Sequence, residues 1–237
     1  MTMHPETHTS KQFDAELEQL RSQVLSMGGM VERQIRYAIS GLRRGEASLL
    51  EKVAQGEAEV NDFERAIDEL CTSIIARRQP SANDLRLVTT VLKTITDLER
   101  IGDEAKKIAR TAQNLHELSW RGVPKLGDLG VVADIVLDML RRSLNAFARL
   151  EVEDAPHIAR QDLDVDEHFQ AILRQLLTYM IEDPRTISSS IDLIFVAKSL
   201  ERIGDHAKNI SEYVVYMIKG KDVRHVTIEE MELVARS

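Results

Sequence analysis

An eleven-residue segment occurs twice in this chain, and the duplication constrains the fold more than any other feature. Residues 98–108 read LERIGDEAKKI and residues 200–210 read LERIGDHAKNI, so nine of eleven positions are identical at an offset of 102. Weaker matches at an offset of 105 extend the repeat upstream, at Val31/Val136, Arg36/Arg141, Val60/Val165 and Ile67/Ile172. A period near 100 residues is too long for a stacked solenoid, and it predicts two similar units in tandem.

The spacing of apolar residues indicates that both units are helical. From Phe13 to Leu42, apolar side chains recur every three or four positions, which is the pattern of an amphipathic helix. Glycine (11 residues) and proline (5 residues) are too scarce for the frequent turns of a strand-rich domain. We therefore predict an all-α fold built from two tandem, pseudo-symmetric three-helix bundles with six long helices.

Prolines mark the boundaries between the predicted helices, because a proline inside a helix removes a hydrogen bond and clashes with the preceding turn. Each of Pro80, Pro124, Pro156 and Pro184 falls where one amphipathic run has ended and the next begins. The predicted helices cover residues 11–43, 47–78, 82–118, 128–150, 156–181 and 186–219. The predicted organisation is a flexible leader (1–10), a first bundle (11–118), a linker (119–127), a second bundle (128–220) and a C-terminal tail (221–237).

Charge and cysteine content exclude several classes of protein. With 31 Lys+Arg against 39 Asp+Glu, the formal net charge of -8 argues against binding along a nucleic-acid backbone. The longest apolar run, residues 213–218, is far shorter than the roughly 20 residues that span a bilayer, and no segment resembles a signal peptide. One cysteine, Cys71, cannot form an internal disulfide, favours a reducing cytoplasm and is expected to be a small buried residue. Cations and other proteins remain as candidate ligands.

The repeated segment carries two acidic residues on one face of its helix. At 100° per residue, Glu99 and Asp103 project to the same side, away from the apolar stripe that should face the core. Glu201 and Asp205 reproduce this pair in the second copy. The thirteen positions before each copy share no identical residue at the same offset, so duplication alone does not explain the motif. Like charges four residues apart repel, and partly buried ones need a basic side chain or a metal ion as partner.

A metal site needs more ligands, and a second helix in each unit supplies candidates. Glu57 and Asn61 are four residues apart in the first unit, as are Asp162 and Asp166 in the second. These hard oxygen ligands suit magnesium, manganese, iron or calcium better than a structural zinc. Because an amide carries no charge, the first site is expected to be the less acidic of the two.

Ordinary surface ion pairs are the alternative interpretation of these acids, with Arg100, Lys106 and Lys107 as the partner cations. Neither nearby histidine is expected to bind a metal: His206 projects to the solvent side, and His168 is better explained by packing or a surface position. Phosphate-binding loops, dinucleotide fingerprints, zinc-protease motifs and the Glu-x-x-His pairs of di-iron bundles are all missing from the sequence. These observations favour a protein that is not an enzyme.

The doubled motif resembles the signature of the PhoU family, which regulates bacterial phosphate uptake. Segments 25–32, 76–80, 179–185 and 220–225 are also similar to that family, so the resemblance extends from about Ser10 to His225. It implies two three-helix bundles in a cytoplasmic, often homodimeric protein that binds multinuclear metal clusters. Carried over by position, the metal-binding residues are Glu57, Asn61, Glu99, Asp103, Asp162, Asp166, Glu201 and Asp205, with Asn61 departing from the acidic pattern of the family.

The resemblance also implies a function and partners. It implies a negative regulator of high-affinity phosphate uptake and of the phosphate-starvation response. The implied partners are the ATPase subunit of the phosphate ABC transporter and a phosphate-sensing histidine kinase, and contact with the membrane is only through them. The metal is iron, manganese, magnesium or zinc, with its identity open. From the residues, two alternatives also stay open: a carboxylate-bridged metalloenzyme, and an inert helical scaffold whose acids form only surface ion pairs.

Overall fold

Long helices make up almost all of the protein that the structure describes. The computed structural model describes residues 11–117 and 127–237; the predicted leader and most of the predicted linker lie outside these ranges. Within them no strand occurs, which confirms the all-α prediction, and no helix is both long and apolar enough to cross a membrane. The helices are α1 (Lys11–Arg44), α2 (Ala47–Arg78), α3 (Ala82–Glu117), α4 (Gly127–Arg149), α5 (Ala155–Glu182), α6 (Ile187–Lys219) and α7 (Ile228–Arg236), with a short 3-10 turn at Pro184–Thr186.

Local signals set the ends of the long helices. Gly220 follows the last residue of α6 with a φ of 68°, the left-handed conformation that glycine adopts without strain. In the turn between α5 and α6, the Asp183 carboxylate accepts a hydrogen bond from the backbone N–H of Arg185. Such short connections make consecutive helices antiparallel neighbours, and the six predicted helices agree with α1–α6 to within one residue at each described end.

Two groups of three helices pack side by side. Helices α1, α2 and α3 contact one another, as do α4, α5 and α6, and the groups meet along α3 and α6 with a smaller contact between α1 and α4. Ile101, Ala105 and Ile108, which form the apolar stripe of the repeated segment on α3, are completely buried. At the α1–α4 contact, a Cβ on Gly28 would lie only 2.7 Å from the side chain of Leu144. Close packing between the two groups therefore explains a glycine inside α1.

The C-terminal segment contains a helix that was not predicted from the sequence. Residues 221–237 are expected to be a tail, but α7 forms within them and packs against α5. Its start is fixed by a capping box, in which the Thr227 side chain bonds the Glu230 backbone and the Glu230 side chain bonds the Thr227 backbone. Met231 and Ala235, one turn apart, are its buried residues. Nine residues hold too few apolar repeats for periodicity to reveal this helix.

The single cysteine is a core residue, as predicted. Cys71 on α2 is completely buried, and burial raises the pKa of its thiol to about 12. A thiol with so high a pKa holds its proton at neutral pH and is a poor nucleophile. Cys71 is therefore a packing residue.

Candidate metal centres

The acidic face of the first bundle lies between α2 and α3. Glu99 and Asp103 are both partly exposed on α3. Desolvation raises the pKa of Glu99, and the nearby charge of Asp103 raises it further. The charge of Glu57 on α2 makes a smaller contribution to the same increase. Asn61 follows Glu57 by one helical turn and is half-buried, so the predicted ligands of this bundle share one face.

Two further carboxylates, those of Glu64 and Asp68, extend this face, and they are not among the ligands predicted from the sequence. Burial raises the pKa of Glu64 on α2, and the charges of Asp68 and Asp103 add to the increase. Glu64 in turn raises the pKa of Glu99. The equivalent positions of the second bundle hold a phenylalanine and a leucine, so the internal repeat gives no sign of this acidic pair. With these two residues the first face carries more carboxylates than its predicted ligands alone.

The acidic face of the second bundle lies between α5 and α6. Burial raises the pKa of Asp205, and Glu201, Asp162 and Asp166 all add to that increase through their charges. Asp162 is only 5% exposed, and burial raises its pKa even though a bond from Lys208 acts in the opposite direction. The other three predicted ligands of this bundle therefore lie close enough to Asp205 for their charges to raise its pKa.

One lysine in each bundle bonds across its acidic face. Lys106 on α3 donates a hydrogen bond to Glu57 on α2, and Lys208 on α6 donates one to Asp162 on α5. The lysines are 102 positions apart and the acids 105 positions apart, so the two ion pairs are equivalent under the sequence repeat. Each pair ties the helix that carries the repeated motif to its neighbour.

Ion pairing accounts for only part of the acidity of the first bundle. Within the described residues, neither Glu99 nor Asp103 forms an ion pair with Arg100 or Lys107. Lys107 instead bonds Glu104, at 2.9 Å. Arg100 lowers the pKa of Glu99, but less than desolvation and Asp103 raise it. The two motif carboxylates therefore carry negative charge that protein cations do not balance.

The chemistry of both faces fits a hard metal ion. Carboxylates that raise one another's pKa repel, and a bound cation with oxygen preference would relieve that repulsion. Over residues 11–117 and 127–237, no three His, Cys, Asp or Glu side chains converge on one point as the ligands of a metal ion would. Binding would therefore require side-chain movement, including the exchange of Lys106 and Lys208 for metal at Glu57 and Asp162.

His206 does not face solvent, contrary to the prediction. It is buried where α6 meets α3, and its Nδ1 lies 2.6 Å from Oδ1 of Asp97. A helical projection assumes that α6 is buried on one side only. In the structure α6 packs on one side against its own bundle and on another against α3. The equivalent contact under the repeat is Ser199 Oγ donating to Glu104 Oε2 at 2.8 Å. The α3–α6 contact thus has local two-fold pseudo-symmetry.

The hairpin formed by α5 and α6 exposes a set of apolar side chains. Ile181 is 83% exposed and Phe195 is 60% exposed, and Leu177, Ile187 and Ile191 are 42–47% exposed. These five residues recur every four positions along each helix, so they form adjacent stripes that we call the hairpin surface. At the equivalent positions, the first bundle has Thr72, Ala76, Leu85, Thr89 and Lys93. The hairpin surface is therefore a property of the second bundle alone.

Known proteins match this chain over nearly its whole length. Residues 24–112 and 129–214 match the PhoU domain model. The phosphate-specific transport system accessory protein PhoU of Edwardsiella tarda is 49% identical over 225 residues, which are 95% of this chain and 92% of that protein. The crystal structure of PhoU from Pseudomonas aeruginosa matches with a TM-score of 0.85 at 44% identity, covering 89% of this chain and 100% of that one. The crystal structure of the phosphate transport system regulatory protein PhoU from Streptococcus pneumoniae matches with a TM-score of 0.82 at 27% identity, covering 90% and 99%. This chain belongs to the PhoU family.

Proposed function

We propose that this protein is a non-enzymatic negative regulator of high-affinity phosphate uptake and of the phosphate-starvation response. It would act in the cytoplasm, as a homodimer, by binding the ATPase subunit of the phosphate ABC transporter and the phosphate-sensing histidine kinase. The observation that carries the proposal is family membership across both bundles, with relatives named as accessory proteins of phosphate-specific transport. The hairpin surface also favours protein binding over an inert scaffold, because extended exposed apolar patches usually mark interaction sites.

Capture of the two partners tests the protein-binding part of this proposal. Tagged full-length protein should retain the transporter ATPase and the kinase from detergent extracts of cells grown in high phosphate, and less of both from cells starved of phosphate. Ile181→Ser/Phe195→Lys should weaken capture by about tenfold or more, since buried aromatic and aliphatic anchors dominate interface energies. Phe195→Lys introduces the residue type of its equivalent, Lys93. Leu85→Ser, an exposed leucine of the first bundle, is the matched control.

Two results would count against it. Capture of neither partner by the wild-type protein would refute the protein-binding proposal, and equal capture by the hairpin variant would show that the hairpin surface is not the contact. Light scattering of the purified protein separates the proposed dimer from a monomer.

We also propose that both acidic faces bind metal ions, with iron, manganese, magnesium and zinc as the candidates. The support is the surplus of carboxylates that raise one another's pKa between α2 and α3 and between α5 and α6. A bound ion would supply positive charge that holds the two helices of each face together. The side chains that would hold it are Glu57, Asn61, Glu99 and Asp103 in the first bundle, joined by Glu64, and Asp162, Asp166, Glu201 and Asp205 in the second.

Elemental analysis of the purified protein tests this second part. Glu99→Gln/Asp103→Asn and the equivalent double variant Glu201→Gln/Asp205→Asn should each lose the metal of one bundle. The control is Asp134→Asn/Asp138→Asn, an acidic pair at the same spacing whose second carboxylate is already bonded by an arginine and a glutamine. Unchanged metal content in both site variants would refute metal binding, whereas metal-dependent turnover of oxygen or a phosphoester would favour the metalloenzyme alternative.

A further inference from the structure

A small polar cavity lies at one end of the contact between α3 and α6, beneath the segment that follows α6. Its volume is about 130 Å³, well below the roughly 300–1,000 Å³ of pockets that take drug-sized ligands. The positions equivalent to Lys93 and Glu212 hold Phe195 and Arg110, so the other end of this pseudo-symmetric contact lacks the same groups. The residues that line the cavity are Lys93, Glu212, Tyr213, Tyr216, Asp222 and Arg224.

Two of these residues, Glu212 and Lys93, are charged but contact no oppositely charged side chain among the described residues. Glu212 is 6% exposed, and among the described residues no side chain or backbone group donates a hydrogen bond to its carboxylate. The Lys93 ammonium lies over the rings of Tyr213 and Tyr216, 5.4 and 5.5 Å from their centroids, and pairs with no carboxylate in the described ranges. A buried carboxylate that lacks hydrogen bonds is costly. A molecule in the cavity could therefore satisfy both groups at once.

We propose that this cavity binds a small tetrahedral oxyanion that still carries a proton, of which hydrogen phosphate is the simplest example. Lys93 would bind the anionic oxygens, together with Nη1 of Arg224, because Nε and Nη2 of that side chain already bond Asp222. The Glu212 carboxylate would accept the hydrogen of the anion. Sulfate carries no such hydrogen and would leave two anionic groups facing each other at short range, so the site should prefer phosphate.

The groups that line the cavity account for the preference for a protonated anion. Only the role of this anion as a signal of phosphate supply rests on the proposed function. Lys93 and Glu212 together bind a ligand that presents both an anionic oxygen and a hydrogen-bond donor. A zwitterionic amino acid shares these features, but the remaining N–H groups of Arg224, whose charge is balanced by Asp222, add hydrogen-bond donors that favour an anion with several equivalent oxygens. Glycine is therefore the competing ligand in the test.

Isothermal titration of the full-length protein, freed of metal by a chelator, tests this site. At pH 8, inorganic phosphate should bind saturably, and sulfate at the same ionic strength should bind at least tenfold more weakly. Lys93→Met should abolish phosphate binding. Lys52→Met is the matched control, because Lys52 lies over the Tyr37 ring at 5.6 Å and lines no part of this cavity. Glu212→Gln should keep some anion binding but lose the preference for phosphate over sulfate.

Three outcomes would overturn the proposal. They are the absence of saturable phosphate binding to the wild-type protein, equal affinity for phosphate and sulfate, and phosphate binding that Lys93→Met leaves unchanged. Tighter binding of glycine than of phosphate would assign the cavity to a different ligand. Because the titration needs neither the transporter nor the kinase, its failure is distinguishable from failure of the regulatory proposal, which is read from partner capture.

Discussion

Replacing Glu212 with glutamine should stabilise this protein at alkaline pH. Burial raises the pKa of the Glu212 carboxyl from 4.5 to about 7, and the charge of Lys208 opposes this only in part. Because the pKa is higher in the folded protein than in the unfolded chain, the unfolded chain loses its proton first as the pH rises. The free energy of unfolding therefore falls between about pH 4.5 and pH 7 and stays at the lower level above that range.

The size of the effect follows from the two pKa values. Each pKa unit corresponds to about 1.4 kcal/mol, so raising the Glu212 pKa from 4.5 to about 7 costs roughly 3 kcal/mol of unfolding free energy at pH 8. Glutamine has nearly the same shape as glutamate and cannot ionise. Glu212→Gln should thus lie within about 1 kcal/mol of the wild type at pH 5 and be about 3 kcal/mol more stable at pH 8.

Urea unfolding followed by circular dichroism measures this difference. The titrations are run at pH 5 and pH 8, with a chelator and without phosphate, so that bound ligands do not contribute to stability. Glu229→Gln, at an exposed glutamate of α7, is the control and should show no comparable change between the two pH values. If Glu212→Gln is equal to or less stable than the wild type at pH 8, the Glu212 carboxylate is satisfied in the folded protein and the reasoning fails.

Packing and ion pairing give three further predictions. Gly28→Ala should be less stable than Gly29→Ala by about 1 kcal/mol or more in urea unfolding. A Cβ at Gly28 would lie 2.7 Å from a buried leucine of α4, whereas a Cβ at Gly29 would have no neighbour nearer than 3.8 Å. Equal stabilities of the two variants would contradict the close packing of α1 on α4. His206→Ala should lower the unfolding free energy by about 2–4 kcal/mol, since it removes the ring partner of the buried Asp97 carboxylate. A negligible loss of stability would show that this contact does not hold the two bundles together. Lys106→Met should tighten metal binding at the first face severalfold in a competition titration, because it frees the Glu57 carboxylate with which Lys106 pairs. Weaker metal binding by this variant would mean that the lysine supports the site.

The helices could be predicted from the sequence because each long helix repeats its apolar stripe many times. The short helix α7 could not be found in this way, although the spacing of Thr227 and Glu230 is itself a capping-box signal. His206 was misplaced for a different reason. A projection of one helix shows which residues share a side, but not that a second bundle covers the side opposite the core. Only the packing of α6 against α3 makes that side buried.

The acidic faces were predictable in part. Glu99 and Asp103 lie together because a spacing of four is a local property of any helix. The internal repeat does not reveal Glu64, because the second bundle has no acid at the equivalent position. The ion pair between Lys106 and Glu57 joins residues 49 positions apart, and its formation depends on how α2 and α3 are rotated against each other. Local spacing does not contain that information.

Alkaline phosphatase activity in a strain that lacks this gene tests the proposed regulatory role most directly. In high phosphate, the deletion strain should produce the enzyme and import phosphate at a high rate, and the wild-type gene on a plasmid should restore repression. The hairpin variant Ile181→Ser/Phe195→Lys should fail to restore it although the protein accumulates normally. Normal repression in the deletion strain would contradict the conclusion that this protein is a negative regulator of phosphate uptake.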